Sequence, residues 1–269
     1  MAKDKPQILL TNDDGIDSPG LWAAAEALST VGYVWVIAPR DQSSGAGRSM
    51  LSTSDGIIQP KKMIVHGKEW TVYAVGGTPA QTVQHGILEI IDGNPDLVVS
   101  GINYGLNLGT GITISGTVGA AMEGASLGIP SLAVSLDTAK EFHLSYSKEV
   151  DFKPAAEFTA FFAQKMLDGG FDQKVQVIKV DVPTDATFET PWEVTRLSPV
   201  RFYLPKAPER ASWDVPMPTG YEVQSDMSLF PPDSDVFTVL EKRLVSVTPI
   251  NLDMTAPVDM PTLDKDLRR

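Results

Sequence analysis

The residues best suited to chemistry in this 269-residue chain stand where its apolar runs end. Asn12-Asp13-Asp14-Gly15 follows the run Gln7 to Thr11 and sets two carboxylates side by side. Adjacent uncompensated carboxylates repel, and a divalent cation among hard oxygen ligands resolves the repulsion. The same tetrapeptide also makes a good solvated turn. Two later segments supply neutral oxygens after apolar runs of their own: Asp41-Gln42-Ser43-Ser44-Gly45 and Ser100-Gly101-Ile102-Asn103. Such ligands favour Mg²⁺, Mn²⁺ or Ca²⁺, and two carboxylates with one hydroxyl and one amide oxygen would leave the ion, Mg²⁺ or Mn²⁺ before Ca²⁺, open positions for water and substrate. Taken singly, each of these residues suits a turn or a cap equally well.

Gly101 to Gly111 then leads to Ser115-Gly116-Thr117, where the pattern opens a helix. Backbone N–H groups at a helix start, with the hydroxyls of Ser115 and Thr117, suit an anion such as phosphate. Plain capping by Ser115 explains the same residues. The loop is not a Walker A motif, because Thr117 rather than Lys follows Gly116, and it lacks the spaced glycines of a dinucleotide site. A divalent cation beside a phosphate cradle points to metal-assisted phosphoester hydrolysis. A covalent aspartyl-phosphate mechanism wants Asp-x-Asp after the first strand, and Asn12 with adjacent aspartates departs from that spacing.

Other chemistries lose support. The chain has no cysteine, so disulfides, thiolate nucleophiles and cysteine metal sites are excluded. The histidines, His66, His85 and His143, share no catalytic spacing and read as surface or packing residues, and there is no Gly-x-Ser-x-Gly elbow. A formal charge of −12, without a basic cluster, disfavours nucleic acid and anionic membranes. The opening MAKDKPQILLTNDD has no apolar leader and no run is long enough to span a bilayer, which makes a cytoplasmic location the expectation. Trp192, Trp213 and Tyr203 could stack on a base, or serve packing within the late segment.

The elements that must position these groups alternate in type. Strands are expected at Gln7–Thr11, Tyr33–Ala38, Trp70–Val75, Asp96–Ser100, Ser131–Ser135 and Val175–Val182, and helices at Leu21–Val31, Thr78–Ile91, Thr117–Leu127 and Phe152–Leu167. This is the pattern of an α/β fold with a mostly parallel sheet and flanking helices, in which ligands bind beyond the carboxyl ends of the strands. From Pro183 onward the texture changes: 12 of the 20 prolines fall there, which disfavours helices and suggests an irregular, β-rich segment. The expected organisation is a catalytic core over 1–182 and a proline-rich arm over 183–269 that completes a single domain.

At these residues the sequence closely resembles the SurE survival-protein family of 5'/3'-nucleotidases. The resemblance rests on Ile8 to Ile16 with Pro19-Gly20, Ala38-Pro39 with Ser44-Gly45, and Gly77-Thr78-Pro79-Ala80. It is strongest in Pro95 to Gly109 and in Ser115 to Gly124, continues through Gly128 to Ser135, and ends in Val245 to Ile250 with Asp253 and Thr255. It implies a Rossmann-like core, an oligomerisation arm that makes a homodimer or homotetramer, and release of phosphate from nucleoside monophosphates with one divalent metal per subunit. Carried over, the metal ligands are Asp13, Asp14, Ser44 and Asn103, with Asp13 and Asp14 also catalytic. Asn12, Asn107, Ser115, Gly116 and Thr117 surround the substrate phosphate. Arg40, Gln81 and Ile114 depart from the usual family pattern. The rival readings are a nucleotide- or phosphate-binding protein without catalysis and a general acid phosphatase of small phosphomonoesters.

Overall fold

The computed structural model describes residues 5–65, 67–143 and 146–269. Eleven strands are present among them: β1 Gln7–Thr11, β2 Tyr33–Pro39, β3 Ile58–Val65, β4 Lys68–Val75, β5 Leu97–Tyr104, β6 Ser131–Leu136, β7 Val177–Val182, β8 Trp192–Val194, β9 Tyr203–Lys206, β10 Gly220–Val223 and β11 Val245–Ile250. Nine form one sheet in the order β3-β4-β2-β1-β5-β6-β7-β11-β8. From β4 to β7 the strands are parallel, whereas β3 and β11 run antiparallel to β4 and β7. This is the expected α/β architecture.

Residues in β1 serve both faces of the sheet, as period-two alternation requires. Ile8 and Leu10 pack with Leu21, Ala25 and Phe158, while Leu9 packs with Ile37, Val83 and Ala120. The first face is covered by helices α1 (Pro19–Leu28) and α4 (Lys153–Asp168), and the second by α2 (Pro79–His85) and α3 (Gly116–Ser126). Helices on both sides explain why β6 and β7 are buried at every residue. Gln81, one of the departures from the family pattern, completes a capping box with Thr78 at the start of α2.

Two features differ from the sequence expectation. The first is β5, expected to stop at Ser100, which runs on to Tyr104 through a register shift against β6 between Ser100 and Asn103. Gly101 makes the shift feasible: its φ is +140°, and a Cβ there would lie 2.4 Å from the Val134 carbonyl oxygen. The second concerns the segment after Pro183. It contributes β11 and β8 to the main sheet, and it contains two short helices, α5 (Asp235–Leu240) and α6 (Met260–Leu267). Proline disfavours helix interiors, but Ser234 caps α5 by accepting from the Phe237 N–H, and Pro261 sits in the first turn of α6. Only β9 and β10 form a separate hairpin. Phe202, Phe230, Val236 and Val239 of this late segment pack on Leu106 and Leu108, just beyond β5.

Candidate active site

The strand order reverses direction at β1, which has β2 on one side and β5 on the other. The loops after these three strands therefore converge. The loop after β1 is bound to the one after β2, with Ser43 N–H donating to the Asp13 carbonyl at 2.7 Å and Ile16 N–H to that of Pro39 at 2.9 Å. Asp13, Ser44, Asn103, Asn107 and Ser115 all line one cavity of about 530 Å³. Five of the expected site residues, drawn from four segments of sequence, thus meet.

Asp13 and Asp14 are buried, 4% and 1% exposed, and among the described residues neither is paired with a lysine or arginine. Burial pushes the Asp13 carboxyl up to about 6, against hydrogen bonding from the Thr117 hydroxyl and from the backbone of Thr117 and Gly116. Asp14 is raised well above the ordinary carboxylate range by burial and then by the charge of Asp13, against donation from Tyr104 N–H and the Gln42 amide. Two desolvated carboxylates without a counter-charge are a costly arrangement that a cation relieves.

The neutral oxygens fit that cation. The side-chain nitrogen of Gln42 donates to both Asp14 Oδ1 and Ser44 Oγ at 3.1 Å, which brings the hydroxyl of the loop after β2 beside the carboxylate of the loop after β1. Asn103 spends its amide nitrogen on the Tyr104 and Gly105 carbonyls, at 3.3 and 2.8 Å, while no described donor reaches its Oδ1. Because no cluster of three or more histidine or acidic side chains exists among the described residues, a metal here would need Ser44 and Asn103 as well as the two aspartates. Oxygen-only donors of this kind suit Mg²⁺ or Mn²⁺.

The expected phosphate residues divide. Asn107 and Ser115 line the cavity, Asn107 donating to Ser135 Oγ at 2.8 Å and Ser115 capping α3 through Val118 N–H at 3.1 Å. Thr117 is buried, and its hydroxyl donates to Asp13 Oδ1. Gly116 allows that approach, since a Cβ there would lie 2.6 Å from the Asp13 Cβ. Asn12 does not line the cavity: its side chain braces the loop in two bonds with the backbone of Gly15, at 3.0 and 3.1 Å.

Tyr203, one of the aromatics weighed in the sequence for base stacking, forms the far wall together with residues the sequence did not single out. Tyr221 on β10 packs edge-on against Tyr203 on β9, with ring centroids 5.3 Å apart, and the Tyr203 hydroxyl donates to the Leu106 carbonyl at 2.9 Å. Lys140 Nζ lies 4.1 Å from the Tyr221 ring centroid, and Arg201 also faces the cavity. Tyr221, Lys140 and Arg201 are isolated residues in loops and a short hairpin and carry no periodic signal; of the three aromatics weighed in the sequence, only Tyr203 lines this cavity. His143 lines the cavity too, and its carbonyl accepts from Gln42 at 2.9 Å. His85 pairs with Glu89 on the surface, and His66 lies outside the described residues. Trp213 is 95% exposed and Trp192 packs on Phe162, so neither contributes to this wall.

Comparison with known proteins agrees in sequence and in shape. The family model described as "Survival protein SurE" matches residues 8–203. A protein of Thermococcus gammatolerans named 5'-nucleotidase SurE is 43% identical over 264 residues, covering 96% of this chain and 94% of the relative. One of the same name from Methanocaldococcus jannaschii is 39% identical over 260 residues, covering 93% of each. The crystal structure of the SurE protein from Aquifex aeolicus superposes with a TM-score of 0.74 at 33% identity, over 98% of this chain and 100% of the other.

Proposed function

Because this chain belongs to the SurE family, we propose that it is a divalent-metal-dependent phosphomonoesterase that hydrolyses nucleoside 5'-monophosphates, and also 3'-monophosphates, to nucleoside and phosphate. The observation that carries this reading is the buried pair Asp13 and Asp14, which lacks a counter-cation among the described residues: Asp13 lines one cavity with Ser44 and Asn103 near the start of α3, and Asp14 lies directly behind it. Asp13, Asp14, Ser44 and Asn103 hold the metal. When bound, it supplies Lewis acidity toward the phosphoryl oxygens.

The protein's own groups do the rest. Asn107 and Ser115 orient the phosphate on the cavity side of α3, whose N-terminal dipole favours an anion. Asp13 and Asp14 offer carboxylate oxygens that align the attacking water and accept its proton. Asn12 and Thr117 support these groups from behind, one through the loop at Gly15 and the other through Asp13. The nucleoside extends toward Tyr203 and Tyr221, with Lys140 and Arg201 adding positive charge to an otherwise acidic chain. Association into a homodimer or homotetramer through the β9–β10 hairpin belongs to the same reading. No described helix is long and apolar enough to cross a membrane.

Phosphate release from a panel of nucleoside 5'- and 3'-monophosphates, with EDTA, Mg²⁺ or Mn²⁺, on wild type and Asp13→Asn tests the proposal. Turnover abolished by EDTA, restored by metal and lost in a folded Asp13→Asn variant is the expected result. Nucleotide binding without release at saturating metal would replace it with a binding protein, and equal turnover of sugar phosphates with a general phosphatase.

A further inference from the structure

Behind the cavity wall, Lys179 and Asp181 of β7 meet Asp235, the first residue of α5, and all three side chains are fully buried. Lys179 Nζ donates to Asp181 Oδ2 and lies 3.2 Å from Asp235 Oδ2. A buried lysine is costly unless paired, and two carboxylates pair this one. Their remaining capacity goes to the chain beyond β5. Asp181 Oδ1 accepts the backbone N–H of Asn107 at 2.9 Å, and Asp235 Oδ2 accepts that of Gly109 at 2.8 Å. Asp235 Oδ1 takes the N–H groups of Ser198 and Val236, each at 2.9 Å.

Residues 106–108 belong to no helix or strand, so their backbone donors depend on such partners. Charge-assisted N–H to carboxylate bonds are the strong kind, and two of them grip residues 107 and 109 from below. We propose that Asp181, braced by Lys179, is a positioning residue for the substrate phosphate: by holding the Asn107 backbone it sets where the Asn107 side chain enters the cavity. This rests on the reading that a phosphate binds beside Asn107.

Asp181→Asn keeps an oxygen for the Asn107 N–H, whereas Asp181→Val fits a strand but has no acceptor. Both leave Lys179 paired with Asp235. In Asp181→Val, with kcat within about threefold of wild type, KM for a nucleoside monophosphate and Kd for inorganic phosphate on the Mn²⁺-loaded protein should each rise about tenfold, the scale of one charge-assisted hydrogen bond. Asp181→Asn should stay within about threefold of wild type in all three, and Mn²⁺ affinity should hold in both variants. Equal phosphate affinity in the two variants would overturn the proposal. So would rapid amide hydrogen exchange at Asn107 in the wild-type protein, a readout that needs no variant to fold. If wild type binds phosphate yet releases none from any nucleotide, the hydrolase reading fails, while the contrast in phosphate affinity still decides the role of Asp181.

Discussion

The hydroxyl of Thr117 donates to the carboxylate of Asp13 from 104 residues further along the chain. The bond ties the first turn of α3 to the loop after β1, the strand that neighbours β5 in the sheet. Thr117 is the right residue type at the right place for an anion cradle, yet its only hydroxyl proton is committed to an aspartate. It holds Oδ1 of Asp13 in place.

Thr117→Val preserves shape and removes that proton. Outer-shell partners of metal ligands typically govern affinity by about 10- to 100-fold. A loss of Mn²⁺ affinity in that range by calorimetry, with the fold retained by circular dichroism, is expected. Affinity unchanged from wild type would show that Asp13 orients itself without Thr117.

The metal-free protein should prefer mildly acidic conditions at this site. Burial raises Asp13 from 3.8 to about 6, so between these values the folded chain keeps a proton that the unfolded chain has released. Stability from this group is therefore fully present below about pH 3.8 and is lost as pH rises from there through about 6, by on the order of 3 kcal/mol in all. A cation competes for the same carboxylate and is favoured as the proton leaves. The rise in Tm on adding Mn²⁺ should be small at pH 5 and large at pH 7.5, and Asp13→Asn should flatten the difference. A shift independent of pH in wild type would remove Asp13 from the metal site.

Tyr221 offers a test of what the far wall recognises. Stacking of a base on an aromatic side chain is worth about 1–3 kcal/mol. Tyr221→Ala should raise KM for nucleoside monophosphates at least fivefold while leaving a sugar phosphate unaffected. If both substrates suffer alike, the wall recognises something other than the base.

Much of this was legible before any coordinates. The alternation of apolar runs with helical patterns located six parallel strands and four helices to within a few residues, because buried parallel strands and amphipathic helices write their burial into local periodicity. Asp13, Asp14, Ser44 and Asn103 stood out for the same reason: each follows or ends an apolar run, and strand ends in such a sheet share one edge.

Other features needed the tertiary structure. The half-exposed strand β3 shows its pairing only against β4, and β5 continues to Tyr104 because Gly101 lets it pass Val134 closely. Whether Thr117 faces a ligand or Asp13, whether Asn12 faces the cavity or Gly15, and which acceptor meets the Asn107 N–H are choices among partners far apart in sequence. Tyr221 joins the wall only because the β9–β10 hairpin folds back over the loop after β5. Local sequence determines which residues are buried and which element they join, since those depend on neighbours a few positions away. The partner each polar group finds is set by the packing of the whole sheet, since that alone fixes the distances.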